Sequence, residues 1–257
     1  MKLEDYIEPL AYDAAFWLAG LKDPDTPVER LGVLSIDVCA KLRAAAIIVL
    51  LTRGDPDGFH HNLIRSARAR ETYLSRVHTA GRFDDHHYAS GRYDGFADAV
   101  AAGEMSLARR LAALSPADWR QGHEYEDDYL YAQLLHALAA DPPPDAQALA
   151  PLLRRFELYL DGEANPRFDV CRALAGRDQG AFDTAFEDLL AARDLEIAAA
   201  KKRGQLEEPP VVAERMVFVE ALAVLRLATL LGLQTEPDYR FCPALARAPM
   251  VKPFPGE

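Results

Sequence analysis

The sequence predicts an all-α fold: a single domain over residues 1–257, with about ten helices arranged as packed helical hairpins and an extended, proline-containing C-terminal tail. Three observations predict it. Apolar residues recur at spacings of three and four along most of the chain, the period of one helix face. The composition is 50% hydrophobic and 27% charged, rich in Ala, Leu and Arg and poor in β-branched runs, as in helical globular proteins rather than disordered ones. Cap and breaker residues then punctuate the periodic segments at helical lengths. A chain of 257 residues buries a real core without disulfides or metal.

Residues 3–21 place Leu3, Tyr6, Ile7, Leu10, Ala14, Phe16, Trp17 and Leu21 mostly three or four apart, a first amphipathic helix whose regular part Pro9 confines. Thr26 and Pro27 form an N-cap and first-turn pair for a second helix that runs to residue 51. Its apolar residues wrap almost fully round, which marks an interior helix. Asp55-Pro56-Asp57-Gly58 opens a third helix. Its body, 59–78, carries Leu63, Ile64, Ala67, Tyr73, Leu74 and Val77 beside Arg65, Arg68 and Arg70, which are expected to pair internally with acidic neighbours.

Residues 92–102 and 105–114, separated by Gly103 and ended at Ser115-Pro116, read as an αα-hairpin. A helix over 127–139 follows. Asp141-Pro142-Pro143-Pro144 is a stiff turn between two helical halves, 1–140 and 145–257, rather than a boundary between independent domains. Asp145 caps a helix over 146–160, and helices over 167–175 and 179–202 flank a glycine-containing corner. Pro209-Pro210 opens one long central helix over 211–231, and the tail 234–257, with five prolines, should lie extended along the surface.

Forty acidic against twenty-nine basic side chains give a net charge of −11, which argues against nucleic-acid or anionic-membrane binding and favours a basic partner, although solubility alone also accounts for it. Cys39, Cys171 and Cys242 are odd in number and lack CxxC spacing, so they read as small core residues in a reducing compartment. Glu4, Asp5, Glu8 and Asp13 stand where an export signal needs positive charge, and no apolar run is long and uninterrupted enough to span a bilayer. A cytoplasmic location is expected.

Two clusters are candidates for chemistry. Asp84, Asp85, His86 and His87 lie in a polar loop and form the most metal-like group, but adjacent histidines diverge on a helix or strand and no HExxH spacing accompanies them, so no metal is assigned. The string HEYEDDY sets Glu124, Glu126, Asp127 and Asp128 before or within the first turn of a helix, where they complement its dipole. Four carboxylates exceed what capping requires, and Tyr125 among them has the amphipathic character common at interfaces. Glu124, Tyr125, Glu126, Asp127 and Asp128, with Asp84 and Asp85, are therefore expected to face a protein partner. No catalytic constellation and no cofactor motif is found, so a non-enzymatic role is expected.

Several strings resemble the immunity protein 49 family of bacterial polymorphic-toxin systems. They are the corner Ala101-Ala102-Gly103-Glu104, LARRLAAL at 107–114, EYEDDYLYAQLL at 124–135, RFELYLDG at 155–162, CRALAGRDQGAFDTAFEDLL at 171–190, ERMVFVEALAVLRLATLLGL at 214–233 and DYRFCP at 238–243. The likeness covers the C-terminal two-thirds of the chain and consists of helical packing patterns. It implies an all-α antitoxin that binds a cognate toxin domain and blocks it in the producing cell or its siblings; the acidic charge and the aromatic-acidic patch, read separately, suit a basic toxin domain such as a nuclease. The family has no universal set of binding residues, so none is carried over. The rival readings are a helical-repeat scaffold holding a peptide in a groove, and a helical metalloenzyme built on His86, His87, Asp84 and Asp85.

Overall fold

A computed structural model describes residues 2–204 and 209–255 of the chain. Among them are eleven α-helices and no strand. The second helix, α2 (Val28–Arg53), sits at the centre for the reason its composition gives: Leu31, Val38, Leu42, Ile47, Ile48 and Leu50 are all buried although they point round most of its circumference. It packs between α1 (Ile7–Lys22) and α3 (Pro56–Ala80). α3 starts where the Asp55 carboxylate accepts the Gly58 N–H at 2.9 Å with Pro56 in the first turn, and it stops at Gly81, whose φ of 63° is left-handed.

The short helix α4 (Asp94–Ala101) is buried from Gly95 to Ala101 and lies against α3 and α5 (Met105–Leu114). Gly103, at φ 84°, makes the corner of this predicted hairpin. Then α6 (Glu126–Leu138), α7 (Ala146–Leu160), α8 (Pro166–Gly176) and α9 (Gln179–Lys202) each pack on the helix before. The last pair, α10 (Pro209–Glu214) and α11 (Val219–Leu230), returns to the first half, α10 against α2 and α11 against α4. One continuous hydrophobic cluster therefore runs through both halves on either side of the proline turn.

Four expectations need correction. The long helix over 211–231 is broken at residues 215–218, because its backbone groups are taken from outside: the Phe218 N–H donates to the Phe241 carbonyl at 2.9 Å, and Arg193 donates to the Glu214 carbonyl at 3.2 Å. The tail is packed down rather than simply extended. It forms a 3-10 turn at Ala244–Arg247, buries Cys242 and Ala246, and ties to α3 where a His60 ring nitrogen meets the Ala248 carbonyl at 2.8 Å and the Val251 N–H donates to Asp57 at 2.7 Å. Its last residues, 256 and 257, lie outside the described residues. Among the described residues Arg65, Arg68 and Arg70 of α3 meet no acid: Arg65 and Arg68 lie over the Phe254 ring at 5.7 and 4.6 Å, while buried Arg70 has the Tyr73 ring at 5.0 Å and the Ala89 carbonyl at 3.5 Å. Glu71 pairs instead with Arg110 of α5. Finally, Phe16 of α1 is 61% exposed, outside the core to which its spacing assigned it.

Candidate partner-binding site

The chain enters α6 through Tyr125, whose extended backbone leaves three carboxylates in the first turn without any side-chain N-cap bond. Two of them, and Glu124 just before the helix, are engaged by other elements. Glu124 reaches across to the segment before α4, accepting the Gly91 N–H at 2.6 Å and the Arg120 N–H at 3.4 Å. Burial raises its pKa against the opposing pull of those two hydrogen bonds. Glu126 accepts from Arg155 of α7 at 2.7 Å, and Asp128 meets Arg167 of α8 at 3.3 Å. Tyr125, 75% exposed, is left facing solvent, and Asp127 has no ion pair among the described residues. The first turn of α6 thus has a structural side and an outward side, a division that residue type alone does not reveal.

Behind Asp128 stands a network centred on Glu220 of α11. Arg167 grips it with a fork, Nε to Oε1 at 3.0 Å and Nη2 to Oε2 at 2.9 Å, while the Tyr93 and Tyr131 hydroxyls donate to it at 2.8 and 3.1 Å. Burial opposes charge on Arg167, but the neighbouring Glu220 wins and holds its pKa above the usual arginine value. A second network joins Arg43 of α2 to Asp98 and Asp94 of α4 at 2.7 and 2.8 Å, with Glu214 at 3.9 Å. In the sequence Glu220 and Arg43 are mere interruptions of apolar helices. A charge on an apolar helix has to find a partner or leave the interior, and that was the available signal.

The two networks wall a cleft. One lobe, of about 530 Å³, is lined by Arg92, His123, Glu124, Tyr125 and Asp128. The adjoining lobe, of about 320 Å³, shares Gly91, Arg92 and Asp128 and is floored by Arg43, Arg167, Glu214 and Glu220. Gly91 is required there, because a Cβ would lie 2.9 Å from the Asp128 Cβ. Arg92 is exposed over both lobes and has no ion pair among the described residues.

Asp84 is exposed, whereas Asp85 is fixed: it accepts the Tyr73 hydroxyl at 2.8 Å and the His87 N–H at 2.9 Å, and its Oδ1 lies 2.7 Å from His87 Nδ1. Partial burial opposes the charge on Asp85, but these hydrogen bonds outweigh it and lower its pKa. The adjacent histidines do not diverge as expected. Their rings stand 3.7 Å apart on a 3-10 turn, and one ligand atom each from Asp85, His86 and His87 falls within 4.8 Å of the others. The hydrogen bonds of Asp85 account for this cluster without an ion. The three cysteines are buried free thiols, and burial raises their pKa values, Cys39 to about 11 and Cys242 to about 12, which suppresses the nucleophilic thiolate.

Among the described residues no helix is long and apolar enough to cross a membrane. Fold and cleft together define a helical protein whose densest polar groups build a shaped, aromatic-flanked surface. The model of the family described as immunity protein 49 matches residues 78–246, well over half of the chain and nearly all of the cleft. The chain belongs to the immunity protein 49 family. No curated protein and no solved structure matches it.

Proposed function

We propose that the chain neutralises a cognate bacterial toxin domain by stoichiometric binding, without catalysis, in the cytoplasm of the cell it protects. The observation that carries this reading is the family match over residues 78–246, the segment that contains α6 and most of the cleft. Charge supports a basic partner, such as a nuclease-type toxin domain, since a net charge of −11 steers one inward. Within the predicted patch, Tyr125 and Asp127 are the contacts free to reach a partner, and Glu124, Glu126 and Asp128 hold the surface that presents them. Asp84 adds a second outward carboxylate beside anchored Asp85.

Co-expression with a candidate toxin domain, sought in the reading frame beside the gene for this chain, tests the reading. The wild-type chain should restore growth and co-purify with the toxin at equal stoichiometry. Tyr125→Ala combined with Asp127→Lys should weaken the complex at least tenfold, about 1.4 kcal/mol, with thermal melting unchanged. Unchanged affinity removes this patch from the interface, and rescue of growth without a complex overturns the stoichiometric mechanism.

A further inference from the structure

Two charged side chains interrupt the apolar surface of α11 at Glu220 and Arg226. Glu220 is matched by Arg167. Arg226 is not matched: it is half-buried, and among the described residues no hydrogen bond or ion pair engages it. Burial, and then the charge of Arg247, both act against its protonated form. Arg247 belongs to the 3-10 turn of the tail and is held in place by donating to the Glu236 carbonyl and to the Thr235 hydroxyl oxygen. Both arginines line one cavity of about 350 Å³, whose other walls include Ala101, Leu222, Leu225 and Pro237. Thr229 also lines it, but its hydroxyl proton goes to the Leu225 carbonyl at 3.0 Å.

Arg43, Arg155 and Arg167 each meet a carboxylate. Here two guanidinium groups line one apolar-walled cavity with no carboxylate among its described lining residues, in a chain whose net charge is −11. Desolvating like charges together is unfavourable unless an anion offsets it. We infer that this cavity binds a small oxyanion, a phosphate or carboxylate head with at most a short apolar body, held between Arg226 and Arg247. A planar guanidinium fork matches either head, and the apolar walls strengthen the attraction. Because Arg226 lies on α11 and Arg247 on the tail, the bound anion clamps the tail turn against the helix. His60, whose ring bonds to the Ala248 carbonyl at the cavity edge, is held toward its neutral form by burial and, more weakly, by Arg226.

The site goes beyond the toxin-binding reading and is tested without the toxin. The tag-free full chain is titrated with inorganic phosphate and, in parallel, with propionate, at constant ionic strength against chloride, by calorimetry and thermal melting. One of the two should bind with unit stoichiometry, raise the melting temperature and slow amide exchange at residues 244–248. Arg226→Gln should weaken that binding at least tenfold while melting higher than the ligand-free wild type, because it removes the repelled cation. No effect of either anion at millimolar concentration overturns the proposal, and so does equal binding by Arg226→Gln.

Discussion

Arg43→Met is expected to destabilise the chain by about 4 kcal/mol, the cost of leaving a buried charge without its partner. The charge left behind is Asp98, which is fully buried and is held by Arg43 Nε at 2.7 Å and by the Ser66 hydroxyl at 2.5 Å. Burial raises the pKa of Asp98 even though Arg43 pulls it down. Without Arg43, Asp98 has only Ser66, and the cheapest escape at neutral pH is to take up a proton. The double variant Arg43→Met, Asp98→Asn should recover a large part of the loss, since an amide needs no counter-charge and can keep the Ser66 hydrogen bond. Urea unfolding of the wild type, the two single variants and the double variant closes the cycle. A loss under about 1 kcal/mol for Arg43→Met would place the pair among solvated surface ion pairs and sink the argument. The same guanidinium also holds the Asp94 carbonyl at 2.8 Å, so its loss should loosen the start of α4 and with it one wall of the cleft.

Periodicity made the helices legible because most of them bury one face. It found α2 and α3 to within a few residues, and the Gly103 corner followed from the backbone freedom a left-handed turn requires. It failed where a partner distant in sequence decides the structure. Nothing local announces that Phe241 will take the Phe218 N–H and break the last helix, or that Phe254 will return to cover the arginines of α3. The site shows the same division. HEYEDDY stood out by composition, but whether each carboxylate faces inward depends on Gly91, Arg155 and Arg167, which lie on other elements. A close His86–His87 ring pair was also beyond sequence reasoning, because the argument that neighbours diverge assumes a helix or strand and the segment is a 3-10 turn.

His136 should make the chain less stable as pH falls below neutrality. It sits near the C-terminal end of α6, 9% exposed, with its ring edge-on to Phe96 at 4.6 Å and its Nε2 without a hydrogen-bond partner. Burial alone lowers its pKa from 6.5 to about 4. The unfolded chain therefore takes up this proton first as pH drops. Stability from the neutral ring is complete above 6.5 and is lost progressively toward 4, about 2 kcal/mol by pH 5 and about 3 kcal/mol in all. His60, lowered chiefly by burial, adds a loss of the same sign, while the raised pKa of Asp98 acts in the opposite sense at lower pH. The measurement that isolates His136 is thus a difference: unfolding free energy from pH 7.5 to 5 for the wild type and for His136→Leu. The variant should be at least as stable at pH 7.5, because an unpartnered polar atom gives way to an apolar side chain of similar volume. Its curve should then fall less steeply, and the gap should widen by about 2 kcal/mol by pH 5. Parallel curves would mean that His136 is solvated or partnered in solution. On the proposed function, in which Tyr125 at the N-cap of α6 and Asp127 in its first turn contact the toxin, acid loosening of this helix should also weaken partner binding in the same pH window.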